Sequence, residues 1–401
     1  MKRLYDQLIQ NHCAQFQQML FLAGPRQVGK TTIAKHIEKQ ASTYHYLNWD
    51  IEDDKELILR GSKQLGEYFK LNQLQEKPVI VFDEIHKYAN WKNFLKGFID
   101  QYKGKAHILV TGSSKLNVYR KGADSLMGRY FLYRIHPLTV RECINPSSPN
   151  KLIHPPQTIK DTDYDRLFQF GGFPEPFIKH NQAFSSQWHR LKQQQLFRED
   201  IKDLTHIQEV AQLELLAELL KNQAGQLLNT NELGKRIGVA TTTITRWMKT
   251  LSEFYYCFTL QPWHKNISRS LIKTPKIFLW DWSIIKDPGA KFENFIASHL
   301  HKAIQLWVDT GLGDFGLYYL RDKDKREVDF LITKDDKPWI LVEAKTSEKN
   351  SVSKALYYFQ KQTKAEYAFQ VTHNLEFVDQ DCFKHHEPLI VPAKTFLSQL
   401  I

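Results

Sequence analysis

The stretch Gly24-Pro25-Arg26-Gln27-Val28-Gly29-Lys30-Thr31-Thr32 constrains this chain more than any other feature. It is a complete G-x-x-x-x-G-K-[ST] phosphate-binding loop. The apolar run Met19-Leu20-Phe21-Leu22-Ala23 before it reads as a short buried strand. Thr31 to Gln40 reads as a helix, with Ile33, Ala34 and Ile37 on one stripe. A strand–loop–helix unit is the context such a loop needs, because its backbone N–H groups and the helix start must face phosphate oxygens. The two glycines let the loop wrap closely. Lys30 would then reach the β- and γ-phosphates, and Thr31 would offer its hydroxyl to Mg²⁺.

A second half of the site follows about fifty residues later, in Val79-Ile80-Val81-Phe82-Asp83-Glu84. Four consecutive apolar residues mark a central parallel strand, which is buried on both faces and so does not alternate. Asp83 would hold Mg²⁺ and Glu84 would polarise the attacking water, since phosphoryl transfer relies on positioning and charge stabilisation. The expected ligand is a nucleoside triphosphate, ATP; the loop does not name the base. A third strand is expected over His107-Ile108-Leu109-Val110-Thr111-Gly112-Ser113-Ser114. A hydroxyl at its end, Thr111, Ser113 or Ser114, could sense the γ-phosphate, with Ser113 placed in the nucleotide set. Hydroxyls capping a turn before a helix account for them equally well. Arg120, Arg129 and Arg134 compete to stabilise transferred charge, in cis or across a subunit interface. Arg129, in Ser125-Leu126-Met127-Gly128-Arg129-Tyr130, is the preferred one, and a solvated surface arginine is the alternative.

Length and composition bound what the rest can be. A chain of 401 residues supports two to four domains. No apolar run of about 18 residues exists, so no membrane span is expected, and the basic start has no signal-peptide core after it. Cys13, Cys143, Cys257 and Cys382 are scattered, without a C-x-x-C pair, which disfavours a disulfide framework or zinc site and fits the cytoplasm. His385-His386 beside Cys382 does not read as a metal site, because adjacent side chains diverge. The net charge of +11 favours polyanionic partners, whether nucleic acid or the nucleotide alone, but it is dispersed rather than gathered in a tail.

The expected organisation is α/β. Residues 1–143 form a P-loop ATPase core with a parallel sheet covered by helices on both faces, and Tyr46-Leu47-Asn48-Trp49-Asp50 supplies a second strand. Residues 144–209 are a Pro-rich linker and a helical region, opened by the rigid turn Gly171-Gly172-Phe173-Pro174-Glu175-Pro176. Residues 210–265 read as a winged helix: a helix over Leu213–Leu220, a second capped by Asn229 or Thr230 and broken by Gly238, a third over Thr241–Leu251, then a strand over Phe254–Leu260. Its third helix carries Thr, Arg and Lys that could enter a major groove, or it serves packing inside the protein.

Residues 266–401 carry their own constellation. Arg326–Ile332 and Trp339–Lys345 read as strands joined by a turn at Lys334–Pro338. On a strand the side-chain period is two, so Glu343 and Lys345 share a face, and the hairpin brings Asp329 beside them. Glu293, in Phe292-Glu293-Asn294-Phe295-Ile296, adds a helical carboxylate. Such a set could hold Mg²⁺ and activate water against a phosphodiester. An ordinary hairpin with a charged solvent face is the plainer alternative.

The ordered set of motifs resembles the prokaryotic AAA-type ATPases that couple an N-terminal ATPase to a C-terminal domain of unknown function. That C-terminal part has a winged helix followed by a fold similar to restriction-endonuclease-like nucleases. The resemblance rests on Gly24–Thr32, Phe82-Asp83-Glu84-Ile85-His86-Lys87, Thr111-Gly112-Ser113-Ser114, Gly128-Arg129 and His136-Pro137-Leu138-Thr139. It continues through Gly171-Gly172-Phe173-Pro174-Glu175, Arg198-Glu199-Asp200-Ile201, Glu327-Val328-Asp329-Phe330 and Glu343-Ala344-Lys345, and so covers nearly the whole chain. Trp280-Asp281-Trp282-Ser283 stands where such proteins have Asp-Thr-Gly, so that turn differs. The resemblance implies ATP and Mg²⁺ at Lys30, Thr31, Asp83 and Glu84. It leaves three functions open: an ATPase whose cycle drives or switches the C-terminal domains, an ATP-gated DNA or RNA nuclease, and a slow nucleotide-dependent binding switch. The partners to expect are nucleic acid, through the winged helix or the nuclease-like domain, and a second copy or another protein; no membrane is expected.

Overall fold

The computed structural model describes residues 1–112, 126–147, 150–201, 209–264, 274–347 and 351–401. The chain forms two compact units, Met1–His136 with Pro146–Ser148, and Pro137–Asn145 with Pro149–Ile401.

The first unit is built on five strands among the described residues: β1 Met19–Ala23, β2 Tyr44–Asn48, β3 Val79–Asp83, β4 His107–Gly112 and β5 Tyr130–Arg134. All neighbours pair in parallel, in the order β2-β3-β4-β1-β5. Every residue of β1 and β3 is buried, as their unbroken apolar runs require. Helix Trp91–Gln101 turns Trp91, Phe94, Leu95, Phe98 and Ile99 inward, the 3-4-7-8 spacing of a core-facing stripe. These rings pack with Phe21 and Phe82 in one apolar cluster. Two boundaries differ from the sequence reading. The α-helix after the phosphate loop is Lys30–His36, and Ile37–Gln40 tightens into a 3₁₀ turn. The second strand starts at Tyr44 rather than Tyr46 and ends at Asn48.

In the second unit, helices Asp161–Phe170, Pro174–Lys179 and Gln182–Gln194 lead into a π-helical turn, Gln195–Ile201. Helices Val210–Lys221, Thr230–Ile237 and Thr241–Glu253 follow. Asn229 caps the second of them by accepting from the Glu232 N–H at 3.1 Å, and Gly238 ends it in the left-handed region. The chain then enters a mixed sheet whose order among the described residues is β12-β11-β10-β9-β8-β6-β7. Its strands are β6 Cys257–Pro262, β7 Lys276–Leu279, β8 Phe315–Arg321, β9 Glu327–Lys334, β10 Lys337–Lys345, β11 Tyr367–Thr372 and β12 Leu389–Pro392. The β6–β7 pair is antiparallel, and Leu227 adds a single antiparallel bridge to Lys276. The strand expected at 254–260 therefore begins three residues later and joins the sheet formed by residues 276–392. The β9–β10 turn is tighter than expected: only Asp335 and Asp336 lie between the strands, at φ +49° and +61°, and Pro338 lies inside β10 beside a register shift.

The segment Pro137–Asn145 belongs to this second unit, although the sequence reading placed it with the nucleotide module. The reason is its hydrogen bonding. Leu138 N–H donates to Gly172 O at 2.7 Å, Val140 N–H to His299 Nε2 at 3.0 Å, and Lys302 Nζ to Pro137 O at 2.9 Å. Among the described residues no helix is long and apolar enough to cross a membrane.

Candidate functional site

Strand β1 delivers the chain into the phosphate loop, and Ile135 N–H holds its last residue by donating to Ala23 O at 2.7 Å. Gly24 must be glycine, because a Cβ there would sit 2.4 Å from Ile135 O. Gly29, at φ +100°, turns the loop into helix Lys30–His36. Pro25 and Val28 are buried, Arg26 and Gly29 half-buried, and Gln27, Thr31 and Thr32 exposed on the loop surface. The Lys30 side chain curls under the loop, its ammonium donating to Gly24 O at 3.0 Å and Pro25 O at 2.7 Å.

The acidic strand end meets this loop. Thr31 Oγ1 donates to Asp83 Oδ2 at 3.0 Å, which joins residues 52 positions apart. Asp83 is also held by the hydroxyls of Tyr46 on β2 and Thr111 on β4. Parallel register explains the convergence, since Asp83 lies level with Asn48 and Thr111 on its neighbours. Glu84 follows in the left-handed region at φ +55°. Burial raises its carboxyl above the usual carboxylate range, and Lys30 pulls the other way. Its Oε2 is buried with no hydrogen-bond partner, and His86 Nε2 lies 3.5 Å away. Two hard oxygen donors at Thr31 and Asp83 beside an orphaned carboxylate oxygen fit a hydrated Mg²⁺ ion with a reactive water.

Two other expectations fare differently. Ser113, with Ser114 and Arg120, lies outside the described residues; Thr111, the remaining hydroxyl, is buried and bound to Asp83. Arg129 does not reach the phosphate loop of its own chain. Met19 pairs with Tyr130 and Ala23 with Arg134, so Arg129 precedes β5 at the opposite end of the sheet. That is about 16 Å away at a strand rise of roughly 3.3 Å per residue. Its guanidinium is ion-paired to Asp100, at 2.7 Å through Nε. The in-cis role for Arg129 is thus corrected by strand direction.

In the second unit Glu293, Asp329, Glu343 and Lys345 do come together. Val342 pairs with Phe330, and one further step of that register sets Glu343 opposite Asp329. Ala344 N–H donates to Asp329 Oδ2 at 2.9 Å, and Lys345 Nζ lies 2.7 Å from Glu343 Oε1. At the centre, however, stands a residue the sequence reading missed. Lys276 Nζ is 2.5 Å from Glu327 Oε1, 3.0 Å from Glu293 Oε1 and 3.6 Å from Asp329 Oδ1. Burial raises the Glu293 carboxyl to about 8, reinforced by Asp329. Among the described residues no group of three or more His, Cys, Asp or Glu side chains is disposed to hold a metal ion.

Arg3 was also missed. The residue is 3% exposed, and its guanidinium donates to Val28 O at 2.8 Å and to His136 O at 2.7 Å, bracing the phosphate loop from below. Neither Arg3 nor Lys276 lies in a motif, and each has a lysine nearby in sequence, Lys2 and Lys273, so nothing local marked either for burial. Tyr46 was legible as a strand residue, but its role needed the β2–β3 register. The divergent turn at Trp280–Ser283 is structural: Asp281 accepts from Ser283 N–H at 3.2 Å and pairs with His189 and Lys192. Burial alone would raise the Asp281 carboxyl, but the adjacent Lys192 ammonium holds it well below the usual range.

Comparisons with known proteins match three successive stretches of the chain, the first of which runs past His136 into the segment that packs with the second unit. Residues 16–144 match the family model described as AAA domain. Residues 161–287 match a Domain of unknown function (DUF8612), and residues 288–388 another (DUF4143). An uncharacterized protein of Mycobacterium tuberculosis is 24% identical over 353 residues, covering 84% of this chain and 72% of the relative. An uncharacterized protein of Methanocaldococcus jannaschii is 24% identical over 349 residues, covering 82% and 75%. Among solved structures, Thermotoga maritima RuvB aligns with a TM-score of 0.31 at 18% identity, over 64% of this chain and 86% of that one. AMPPCP-bound DnaA from Aquifex aeolicus gives 0.30 at 11% identity, over 61% and 86%. Likenesses that loose bear on neither activity nor partners. Residues 16–144 thus match an AAA domain model, on a five-stranded parallel sheet that resembles the phosphate-loop NTPase fold.

Proposed function

We propose that this protein is a Mg²⁺-dependent ATPase of the AAA type, whose nucleotide cycle drives or switches its C-terminal part. The observation that carries this reading is the 3.0 Å contact between Thr31 Oγ1 and Asp83 Oδ2, with the orphaned Glu84 oxygen beside it. Thr31 and Asp83 would hold Mg²⁺, which when bound neutralises phosphate charge. Lys30 turns from the loop carbonyls to the phosphates. The Tyr46 and Thr111 hydroxyls keep the Asp83 carboxylate aimed at Thr31. Glu84 orients the attacking water and accepts its proton, which requires the ionised form. The arginine completing the site would be Arg134, which the register sets level with Ala23 at the start of the loop, or one from a second copy of the chain.

The test separates binding from turnover. Lys30→Ala should weaken ATP binding roughly ten- to a hundred-fold, the worth of a charge-assisted contact. Glu84→Gln should keep ATP binding and lower hydrolysis by roughly 10²–10⁴. Because burial raises the Glu84 carboxyl, wild-type turnover should fall on acidification at a pH above the usual glutamate range. Turnover by Glu84→Gln at the wild-type rate would reduce Glu84 to a strand terminus.

For the second unit we read Val210–Lys221, Thr230–Ile237, Thr241–Glu253 and the β6–β7 hairpin as a winged helix, and the following sheet as nuclease-like. Thr242, Thr245, Arg246 and Lys249 are exposed on the third helix, which favours a nucleic-acid contact there. The convergence of Glu293, Asp329, Glu343 and Lys345 favours the nuclease-like fold. Plasmid incubation with Mg²⁺ or Mn²⁺, with and without ATP, tests cleavage, and a cut that needs ATP and disappears in Asp329→Ala would establish an ATP-gated nuclease.

A further inference from the structure

A carboxylate cluster of this shape ordinarily implies a divalent cation, and the residues present do not fit one. Mg²⁺ draws its oxygens to about 2.0–2.1 Å, and even the larger Ca²⁺ to about 2.3–2.6 Å. Here three carboxylates of the cluster, Glu293, Glu327 and Asp329, are spaced around the Lys276 ammonium at 2.5–3.6 Å. Asp329 Oδ2 is already taken by the Ala344 N–H, and Glu343 Oε1 by Lys345.

Lys276 is not a mobile surface side chain that happens to lean in. It opens β7, where its backbone pairs with Leu260 and bridges to Leu227. Its side chain is 4% exposed. The Tyr319 ring lies 5.7 Å from the ammonium, and the Tyr319 hydroxyl is itself tied to Thr274 O at 2.6 Å. Glu343 Oε2 is buried without a hydrogen-bond partner, while Glu343 Oε1 is the oxygen that Lys345 holds.

We infer that Lys276 is a built-in counter-ion that occupies the position of the divalent metal in this nuclease-like site, so that the native protein holds the cluster closed to metal and the site does not cut nucleic acid. The inference rests on the nuclease-like reading of the second unit and is independent of the ATPase reading of the first. A divalent ion entering the centre would have to displace a buried ammonium from three carboxylates or sit against it. Removing the ammonium leaves those carboxylates uncompensated, a strongly destabilising state that a divalent ion can relieve.

The experiment is a Mn²⁺ titration of the full chain without nucleotide, in an Asp83→Asn background so that the phosphate-loop site contributes nothing. With Lys276 intact, no saturable Mn²⁺ binding sensitive to Asp329→Asn should appear at millimolar metal. Lys276→Met should gain one such site, lost again in Lys276→Met/Asp329→Asn, and its melting temperature should rise with Mn²⁺ while that of the parent does not. A Lys276→Met chain that folds only with Mn²⁺ present supports the inference equally. Should Lys276→Met fail to fold in either condition, Lys276→Gln, neutral and still hydrogen-bonding, takes its place. Saturable, Asp329-dependent Mn²⁺ binding with Lys276 intact overturns the inference. So does a folded Lys276 variant that gains no site, or metal-dependent cleavage by the native chain that Asp329→Asn abolishes. Since the Asp83→Asn background removes the ATPase site, failure here leaves the ATPase reading untouched.

Discussion

Asp83 receives hydroxyls from three different elements, Thr31 after β1, Tyr46 on β2 and Thr111 on β4. Tyr46 and Thr111 arrive from the strands that flank β3 and Thr31 from the helix after the phosphate loop, so the carboxylate is aimed before any ligand binds. Arg3 does the same for the phosphate loop with the opposite charge. Replacing it by alanine leaves Val28 O and His136 O without this buried donor. Arg3→Ala should therefore destabilise the first unit by about 2–6 kcal/mol, on the basis of about 1–3 kcal/mol for each of the two buried groups left unsatisfied. Calorimetry with and without ATP·Mg²⁺ checks this. If Arg3 braces the loop in its binding shape, the stabilisation conferred by ATP should shrink as well; an unchanged melting temperature would show that water replaces the guanidinium.

At the scale of elements, local pattern and outcome agree best where burial is continuous or periodic. β1 and β3 are unbroken apolar runs and are buried throughout. Glu343 and Lys345 share a face because strand period allows nothing else, and they meet at 2.7 Å. The β9–β10 turn was harder to place, because its Asp335-Asp336 pair holds two non-glycine residues in the left-handed region. Such a two-residue turn matches the twist of the flanking strands but favours glycine at its second position. Asp336→Gly should thus raise the stability of the second unit by about 0.5–1 kcal/mol, read as an increase in the urea midpoint at unchanged slope. A loss of stability instead would mean that the Asp336 side chain contributes more than its backbone costs.

At the scale of the molecule, the second unit is closed by contacts between residues far apart in sequence. Helix Pro288–Asp309 carries Phe295, His299 and Lys302 along one stripe. Val140 N–H donates to His299 Nε2, His299 Nδ1 faces Phe295 O at 2.8 Å, and Lys302 is paired with the fully buried Glu142. Accepting at Nε2 requires neutral imidazole, and burial lowers the His299 pKa to about 3 from 6.5. The folded state therefore binds its proton less readily than the unfolded chain. The stability this supplies is complete above pH 6.5 and is lost as pH falls toward 3. The loss is at most about 1.4 kcal/mol per pH unit. His299→Gln, whose amide oxygen can accept from Val140, should lose about 2–3 kcal/mol less than wild type between about pH 6.5 and 4.5 in urea unfolding. Identical pH slopes in the two proteins would place the acid sensitivity elsewhere.

What the amino-acid order alone determined is what neighbours in sequence decide. The phosphate loop needs Gly24, Gly29, Lys30 and Thr31 in one short stretch, and the Asp83-Glu84 pair needs only a buried strand before it. Strand alternation and the Asn229 cap are legible for the same reason, because backbone geometry over a few residues carries them. Tertiary structure alone decided which distant residues complete each site. Strand direction put Arg129 at the wrong end of the sheet, and register brought Tyr46 and Thr111 onto Asp83. The pairing of β7 with β6 carried Lys276 into a carboxylate cluster drawn from the 288–309 helix and from β9, where charge compensation across as many as 53 positions cannot be read from spacing. A buried cation is intelligible only from the anions around it, and those are assembled by folding rather than by order along the chain.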